Sequence, residues 1–371
     1  MEIKKPNPII NWIVKSKVLG ILFFIFIGAL ALLKLGRELF DNPTVFIQQV
    51  INGLQLGFMY ALIALGYTMV YGIVRLINFA HGDVFMVGAF TSYFAISRAN
   101  LHLWFQNLFP SSPIFIANII GTISVILFSM IVCTILAFII ERIAYKPLRT
   151  APRISALITA IGISFFLEYF GALKFVFSAN YITYKRPFDV QTWFLGPNGF
   201  GLLKSGNAAP TGSVLFSNIF IIVVVVSFLL LFLLQFIVKR TKIGKAMRTV
   251  AYDKPTAQLI GINVNSVISA TFAIGASLAG AAGVLYAIAF PQVFFFMGTI
   301  PGMKSFVAAV LGGIGSIPGA FIGALIMGQA ETLAAAYIST PMRDAIAFSI
   351  LIIVLLIKPK GIMGEITSEK V

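Results

Sequence analysis

The sequence predicts an all-α, polytopic membrane protein with broken or re-entrant helices. Of its 371 residues, 59% are hydrophobic and only 11% are charged, and the mean hydropathy is +0.98. A soluble domain is about half apolar and about a quarter charged, so this chain has too little polar surface to cover a water-soluble globule. The aromatic content of 13% also excludes a disordered chain, because disordered chains are poor in aromatic residues.

The apolar runs predict about eight to ten transmembrane spans, since a helix needs about 20 apolar residues to cross the hydrocarbon layer. The stretch at 303–336 is too long for one straight helix. Its middle, Leu311–Ala320, holds four glycines and a proline, which favours a break there. The candidate runs lie at about 18–33, 45–73, 84–97, 114–140, 155–177, 213–238, 264–290, 303–336 and 342–357.

The basic residues orient these spans. Lys and Arg number 27 against 12 acids, which gives a net charge of +15. The cations lie between the apolar runs and form no basic stripe with interleaved aromatics, so they indicate membrane topology and not nucleic-acid binding. With the N-terminus inside, the inside loops hold 15 cations and the outside stretches hold 8, Lys304 included. The C-terminal tail, with Lys358, Lys360 and Lys370, is also predicted to be cytoplasmic.

The sequence does not support a metal-dependent or enzymatic function. Cys133 stands alone within an apolar run, and His81 and His102 lie far apart, so no metal, haem or disulfide is expected. A GxxxxGK[ST] motif is missing, so the chain is not expected to hydrolyse ATP. No chain of acidic residues suits a proton or sodium relay, which disfavours an ion-coupled carrier. No pair of His, Asp, Glu, Cys or Lys recurs at i, i+4 within a span, which disfavours a membrane-embedded enzyme.

Two acidic residues, Glu168 and Glu331, lie within apolar runs. A charge at the membrane centre costs about 2.5–3.5 kcal/mol on insertion scales, so each is expected to face inward toward a partner. For Glu168 the simplest partner is Lys174, in an ion pair at the outer end of its span.

The segment IVRLINFAHGDVFMVGAF, from Ile73 to Phe90, separates two apolar helices. Gly82 is expected to end the first helix with a positive φ, and Asp83 is expected to cap the second. Broken helices mark cavities or binding sites in transporters, because unpaired backbone groups must meet protein or water. A cytoplasmic turn with a capping Asp and no ligand explains the same pattern.

The glycine-rich break within 303–336 also has two interpretations. Its small residues allow helices to pack closely, which is their commoner use in membranes. They also allow a helix to unwind beside a substrate path. The residues are Gly312, Gly313, Gly315, Pro318, Gly319 and Gly323.

The basic segment Val238–Val267 is predicted to be a cytoplasmic loop that contains a short helix. Asp253 is the expected N-cap, Pro255 lies in the first turn and Gly261 ends the helix. A helix capped at both ends favours a rigid docking element, and an ordinary basic loop on the anionic inner leaflet is the alternative. On the other side of the membrane, the polar stretch at about 178–212 is predicted to be a compact outer loop.

Four stretches of the chain closely resemble the LivH-type permease of branched-chain amino acid ABC importers. They are long and occur in order: Gln48–Asp83, Glu141–Tyr169, Gly261–Ala287 and Gly302–Glu331. The resemblance runs from about residue 46 to the end. Residues 1–44 are therefore interpreted as an additional N-terminal span and linker, and residues 45–371 as the permease domain.

The resemblance implies a non-enzymatic subunit of a bacterial inner-membrane importer with the ABC permease fold. Its implied partners are a second permease (LivM-like, or an identical copy), two cytoplasmic ATPases that bind the ATP, and an extracytoplasmic binding protein. The implied substrates are leucine, isoleucine and valine, and the chain itself is expected to hold no cofactor. Related permeases are linked to urea or short amides, so these substrates are the alternative.

The resemblance also marks two groups of candidate residues. The segment at 239–261 matches the ATPase-docking segment of the family, and its corresponding residues are Thr241, Gly244, Ala246, Arg248, Ala251, Asp253, Ala257 and Gly261. The run NFAHGD is a family hallmark, and the candidate residues of the translocation path are Asn52, Asn78, His81, Gly82, Asp83, Gly312, Gly313 and Gly315.

Overall fold

The computed structural model describes residues 33–149, 151–197, 199–203 and 207–364. Residues 33–41 are helical, a 3₁₀ turn at Leu101–Leu103 precedes α3, and a π-helical turn at Glu141–Tyr145 extends α4. The helices are α1 (Pro43–Val74), α2 (His81–Ser97), α3 (Trp104–Leu108), α4 (Ile114–Ile140), α5 (Arg153–Gly171), α6 (Asn218–Arg240), α7 (Lys242–Tyr252), α8 (Lys254–Leu259), α9 (Val264–Ala289), α10 (Thr299–Gly312), α11 (Ile317–Tyr337) and α12 (Arg343–Ile357). The strands are β1 (Ile182–Thr183), β2 (Thr192–Gly196), β3 (Gly199–Leu203), β4 (Val214–Ser217) and β5 (Gln292–Val293).

Six helices of the described chain, namely α1, α4, α5, α6, α9 and α11, are long and apolar enough to cross a membrane. Helix α10 is a shorter apolar helix. The two short runs expected at 84–97 and 342–357 correspond to α2, with 17 residues, and α12, with 15. The prediction of a helical polytopic membrane protein is therefore confirmed. The run at 18–33 lies outside the described residues.

Helix α1 is the centre of the core, because most of its length is buried against α9, α10 and α11. Small residues make this packing close. A Cβ placed on Gly57 would lie 2.9 Å from the Cα of Leu325 in α11, so the two backbones touch there, as small residues allow in membrane helices. Helices α4, α5 and α6 lie at the periphery and expose most of their apolar side chains.

The long run at 303–336 breaks where its glycines cluster, as expected. Helix α10 ends at Gly312, and α11 begins after Ser316, whose hydroxyl accepts from the Gly319 amide at 3.2 Å. Gly313 adopts a φ of 108°, which disfavours any side chain at this turn. The C-terminal segment returns to the same end, where the Met363 amide donates to the Gly312 carbonyl at 2.9 Å.

The expected outer loop at 178–212 holds β2 and β3 of a small antiparallel sheet with the order β3-β2-β4, whose third strand β4 follows the loop directly; the all-α prediction did not include this sheet. The sheet lies against the start of α1. The Gln48 side chain donates to the Leu215 carbonyl at 3.0 Å and accepts from the Leu215 amide at 2.7 Å. A two-residue bridge between β1 and β5 joins the same loop to the segment after α9.

Candidate functional site

The interruption between α1 and α2 is a re-entrant backbone segment. Helix α1 ends at Val74, and Arg75 takes a left-handed conformation with a φ of 61°. The chain then returns along α1, because the His81 ring packs edge-on against Tyr67 with centroids 4.7 Å apart. Tyr67 lies about two turns before the end of α1, so α2 begins well inside the bundle and not level with the end of α1.

The conformational roles expected for Gly82 and Asp83 are wrong. Positive φ occurs at Arg75, and Gly82 lies inside α2, whose N-cap position is Ala80. Asp83 makes no capping hydrogen bond, and its carboxylate instead accepts from the Ser164 hydroxyl of α5. A glycine is needed at position 82 for close approach, since a Cβ there would lie 2.7 Å from the carbonyl oxygen of Gly298. The N-terminal ends of α2 and α10 therefore touch.

We expect Gly82→Ala to destabilise the protein by roughly 1–3 kcal/mol, because the new methyl group meets the backbone of α10 and the two helix ends must separate. Gly162→Ala in α5 is the matched control, since a Cβ at that position meets no atom within 4 Å. In the control, alanine is expected to stabilise the helix by about 0.5–1 kcal/mol or leave it unchanged. Thermal unfolding in detergent measures both, and equal stability of the two variants would contradict the close contact.

The structure brings four of the eight candidate path residues together. Asn78, His81, Gly82 and Asp83 lie at the α1–α2 interruption, where the Tyr145 hydroxyl donates to Asn78 Oδ1 at 2.7 Å. Asn52 lies apart from them, exposed near the N-terminal end of α1, where its side chain accepts from Gln48. The remaining residues, Gly312, Gly313 and Gly315, form the turn between α10 and α11, which lies beside the end of α1: a Cβ on Gly72 would lie 3.1 Å from the Cα of Gly315.

The candidate docking segment consists of two helices where one was expected. Helix α7 precedes the predicted short helix, and its N-cap is Thr241, whose hydroxyl accepts from the Gly244 amide at 3.1 Å. Helix α8 corresponds to the prediction, and Gly261 ends it with a φ of 85°. Asp253 occupies the N-cap position but caps no backbone amide, because its carboxylate accepts from the Thr256 hydroxyl.

The candidate docking segment packs through its small and apolar residues, and the cationic side chains of α7 are exposed. Gly244, Met247 and Val250 of α7 are buried, as is Ala257 of α8, whereas Arg248 is exposed. Ala246 and Ala251 are half-buried.

Two hydrogen bonds connect this segment to the re-entrant interruption. The Lys254 ammonium donates to the Val74 carbonyl, and the Arg75 guanidinium donates to the Ala251 carbonyl, both at 3.4 Å. A cleft of about 540 Å³ lies between the two segments and reaches the start of α9. These hydrogen bonds and the shared cleft link α7 and α8 to the end of α1.

The tip of the docking segment carries exposed apolar side chains that the sequence analysis did not single out. The exposed fractions are 80% for Tyr252, 87% for Leu259 and 65% for Ile260. Exposed apolar side chains that do not belong to a membrane-spanning helix form a candidate interaction surface. The sequence signal available for this surface was the apolar pair Leu259 and Ile260, directly before Gly261.

Comparison with known proteins identifies the family. Residues 49–355 match the family model described as "Branched-chain amino acid transport system / permease component". The chain belongs to this permease family.

The relatives of this permease span nearly the same length. It is 40% identical over 329 residues to the high-affinity branched-chain amino acid permease LivH of Salmonella typhimurium, covering 88% of this chain and 98% of the relative. It is 40% identical over 326 residues to BraD of Pseudomonas aeruginosa, with the same shares. A probable LivH of Methanocaldococcus jannaschii is 26% identical over 316 residues, covering 82% of this chain and 89% of the relative. No solved structure matches.

The intramembrane acids of this permease have partners that differ from the sequence expectation. Glu168 is not paired with Lys174; it accepts from the Thr299 hydroxyl of α10 and lies one turn from Ser164, which donates to Asp83. Lys304, expected among the outside cations, is buried with its ammonium 2.7 Å from Glu331. Within the described part of the chain, no group of three or more His, Cys, Asp or Glu residues could hold a metal ion.

Proposed function

We propose that the chain is the transmembrane permease subunit of an ATP-driven importer for branched-chain amino acids. Family membership and the near-complete coverage of relatives named for this transport support the proposal. In this proposal the chain is not itself an enzyme. It moves substrate by opening alternately to the two sides of the bacterial inner membrane, with both termini in the cytoplasm.

The proposed partners are two cytoplasmic ATPases, an extracytoplasmic binding protein and a second permease, either a LivM-like chain or an identical copy. The ATPases bind the ATP, so this chain needs no cofactor. Helices α7 and α8 are the proposed docking element, and the exposed side chains of Tyr252, Leu259 and Ile260 support this role.

The observation that carries the mechanism is the direct connection between the docking element and the re-entrant interruption. Lys254 and Arg75 join α7 and α8 to the last turn of α1. Motion of the docking element would therefore shift the segment between α1 and α2. The N-terminal end of α2 lies inside the bundle, where half-helix ends hold the charges of substrates in transporters.

Reconstitution tests this function. We expect proteoliposomes that contain the chain, its partner permease and the two ATPases to accumulate labelled leucine only when the binding protein and ATP are present. The chain alone is expected to transport nothing, and uptake by the chain alone down an ion gradient would contradict the importer. Parallel uptake of labelled urea and acetamide distinguishes the amide substrates, and uptake of either in place of leucine would replace the substrate while keeping the importer.

A further inference from the structure

Two carboxyl groups meet where two helices begin inside the bundle. Asp83 lies in the first turn of α2, and Glu168 lies on α5, one turn beyond Ser164. Ser164 donates to Asp83 and lies one helical turn from Glu168, so the two carboxyl groups are neighbours, and both residues are buried, with exposed fractions of 1% and 2%. Burying two neighbouring acidic side chains in a membrane protein costs free energy, so their presence here requires a chemical explanation.

The two carboxyl groups lack one hydrogen-bond donor between them. Asp83 Oδ2 accepts from the Ser164 hydroxyl, and Glu168 Oε1 accepts from the Thr299 hydroxyl. The other two oxygens, Asp83 Oδ1 and Glu168 Oε2, have no donor among the described residues, although both are buried. A carboxyl group that carries a proton becomes a donor, so one proton placed between these oxygens supplies the missing bond.

The electrostatic interactions of the Asp83–Glu168 pair favour one bound proton over none or two. Two neighbouring ionised carboxylates repel strongly in a medium of low polarity, and one bound proton removes that repulsion. The single remaining charge is stabilised because the N-terminal ends of α2 and α10 meet at Gly82 and Gly298, where helix dipoles favour an anion.

The neighbouring titratable and charged groups do not replace this proton. Tyr67 of α1 feels the charge of Asp83 but makes no hydrogen bond to either free carboxyl oxygen, and the Cys133 thiol of α4 donates to the Val84 carbonyl. His81 of α2 packs on the Tyr67 ring, and Lys304 of α10 is engaged with Glu331.

We infer that Asp83 and Glu168 bind a single proton between them, and that this protonated pair attaches α5 to the helix ends of α2 and α10. Helix α5 exposes most of its span, so these polar contacts are an important part of its attachment. Loss of the proton places two like charges in contact and pushes α5 away. The proton is bound from and returned to water, so the step requires no other reactant.

Infrared spectroscopy of the full chain in lipid nanodiscs tests the proton directly. We expect a protonated-carboxyl C=O band at neutral pH that is lost in both Glu168→Gln and Asp83→Asn. In each variant the amide donates in place of the proton and the remaining acid stays ionised. Glu331→Gln is the control and is expected to keep the band, because Glu331 accepts from Lys304 and Tyr60 and has no need of a proton. A wild type without the band, or a band that survives in both variants, overturns the inference.

The pH profile of transport tests the consequence. Wild-type uptake by the assembled importer is expected to fall at alkaline pH over the range where the infrared band disappears. Glu168→Gln is expected to flatten this alkaline limb, because its amide cannot lose the bridging hydrogen. An unchanged alkaline limb overturns the attachment role. The infrared measurement requires no transport, so its result is independent of the proposed function. If a variant fails to assemble, the wild-type spectrum alone tests whether the pair holds a proton.

Discussion

Replacing Leu259 with Asp is expected to abolish ATP-coupled transport while the permease stays folded and inserted. The side chain is 87% exposed at the end of α8, so a charge there leaves the buried core untouched. Burying one leucine against a partner contributes about 1.5–3 kcal/mol, so its loss weakens binding of the ATPase subunits by roughly ten- to hundred-fold. Co-purification of the ATPases with the tagged permease measures the binding, and stimulated ATP hydrolysis measures the coupling.

Leu259→Met is the matched control, because methionine keeps an apolar side chain of similar volume at the same position. It is expected to retain both ATPase binding and transport. Normal coupled transport in the Asp variant would show that the ATPases bind elsewhere on the chain. Transport lost while the ATPases still bind would show that Leu259 transmits motion and does not dock.

The long spans could be predicted because membrane insertion is a local requirement. About 20 apolar residues in a row satisfy it whatever the rest of the fold does. The turn at Gly313 was predictable for the same reason, since glycine and proline act on their own backbone. Helix α7 was missed because its basic residues resemble a loop, although Gly244, Met247 and Val250 recur with helical spacing on its buried face.

The interior of the site could not be predicted because its contacts join distant parts of the chain. Position 82 requires a glycine, but the sequence does not show whether the reason is a positive φ or the close approach of another helix. The structure shows that the reason is the close approach of Gly298. Lys174 is close to Glu168 along the chain, but Thr299, 131 residues away, donates to it. A residue that is close in sequence becomes a side-chain partner only where the backbone between the two residues brings their side chains together.

Lys304→Met is expected to destabilise the permease by about 3–5 kcal/mol, the usual cost of leaving one partner of a buried ion pair without the other. The Lys304 ammonium lies 2.7 Å from Glu331 Oε1 and 2.8 Å from Asp344 Oδ1, and its side chain is only 2% exposed. Asp344 can turn to water because its side chain is 43% exposed, but the Glu331 carboxylate is only 4% exposed. Denaturant unfolding of the purified chain measures the loss.

Two further variants separate the charge effect from lost packing. Arg343→Met removes the other cation of the cluster, but its side chain is 47% exposed and 3.6 Å from Glu331, so a loss below about 1 kcal/mol is expected. The double variant Lys304→Met/Glu331→Gln is expected to recover most of the stability, because the neutral amide removes the buried charge and still accepts from Tyr60. A double variant no more stable than Lys304→Met alone would mean that the lysine acts through packing, since coupling between the two residues would be absent.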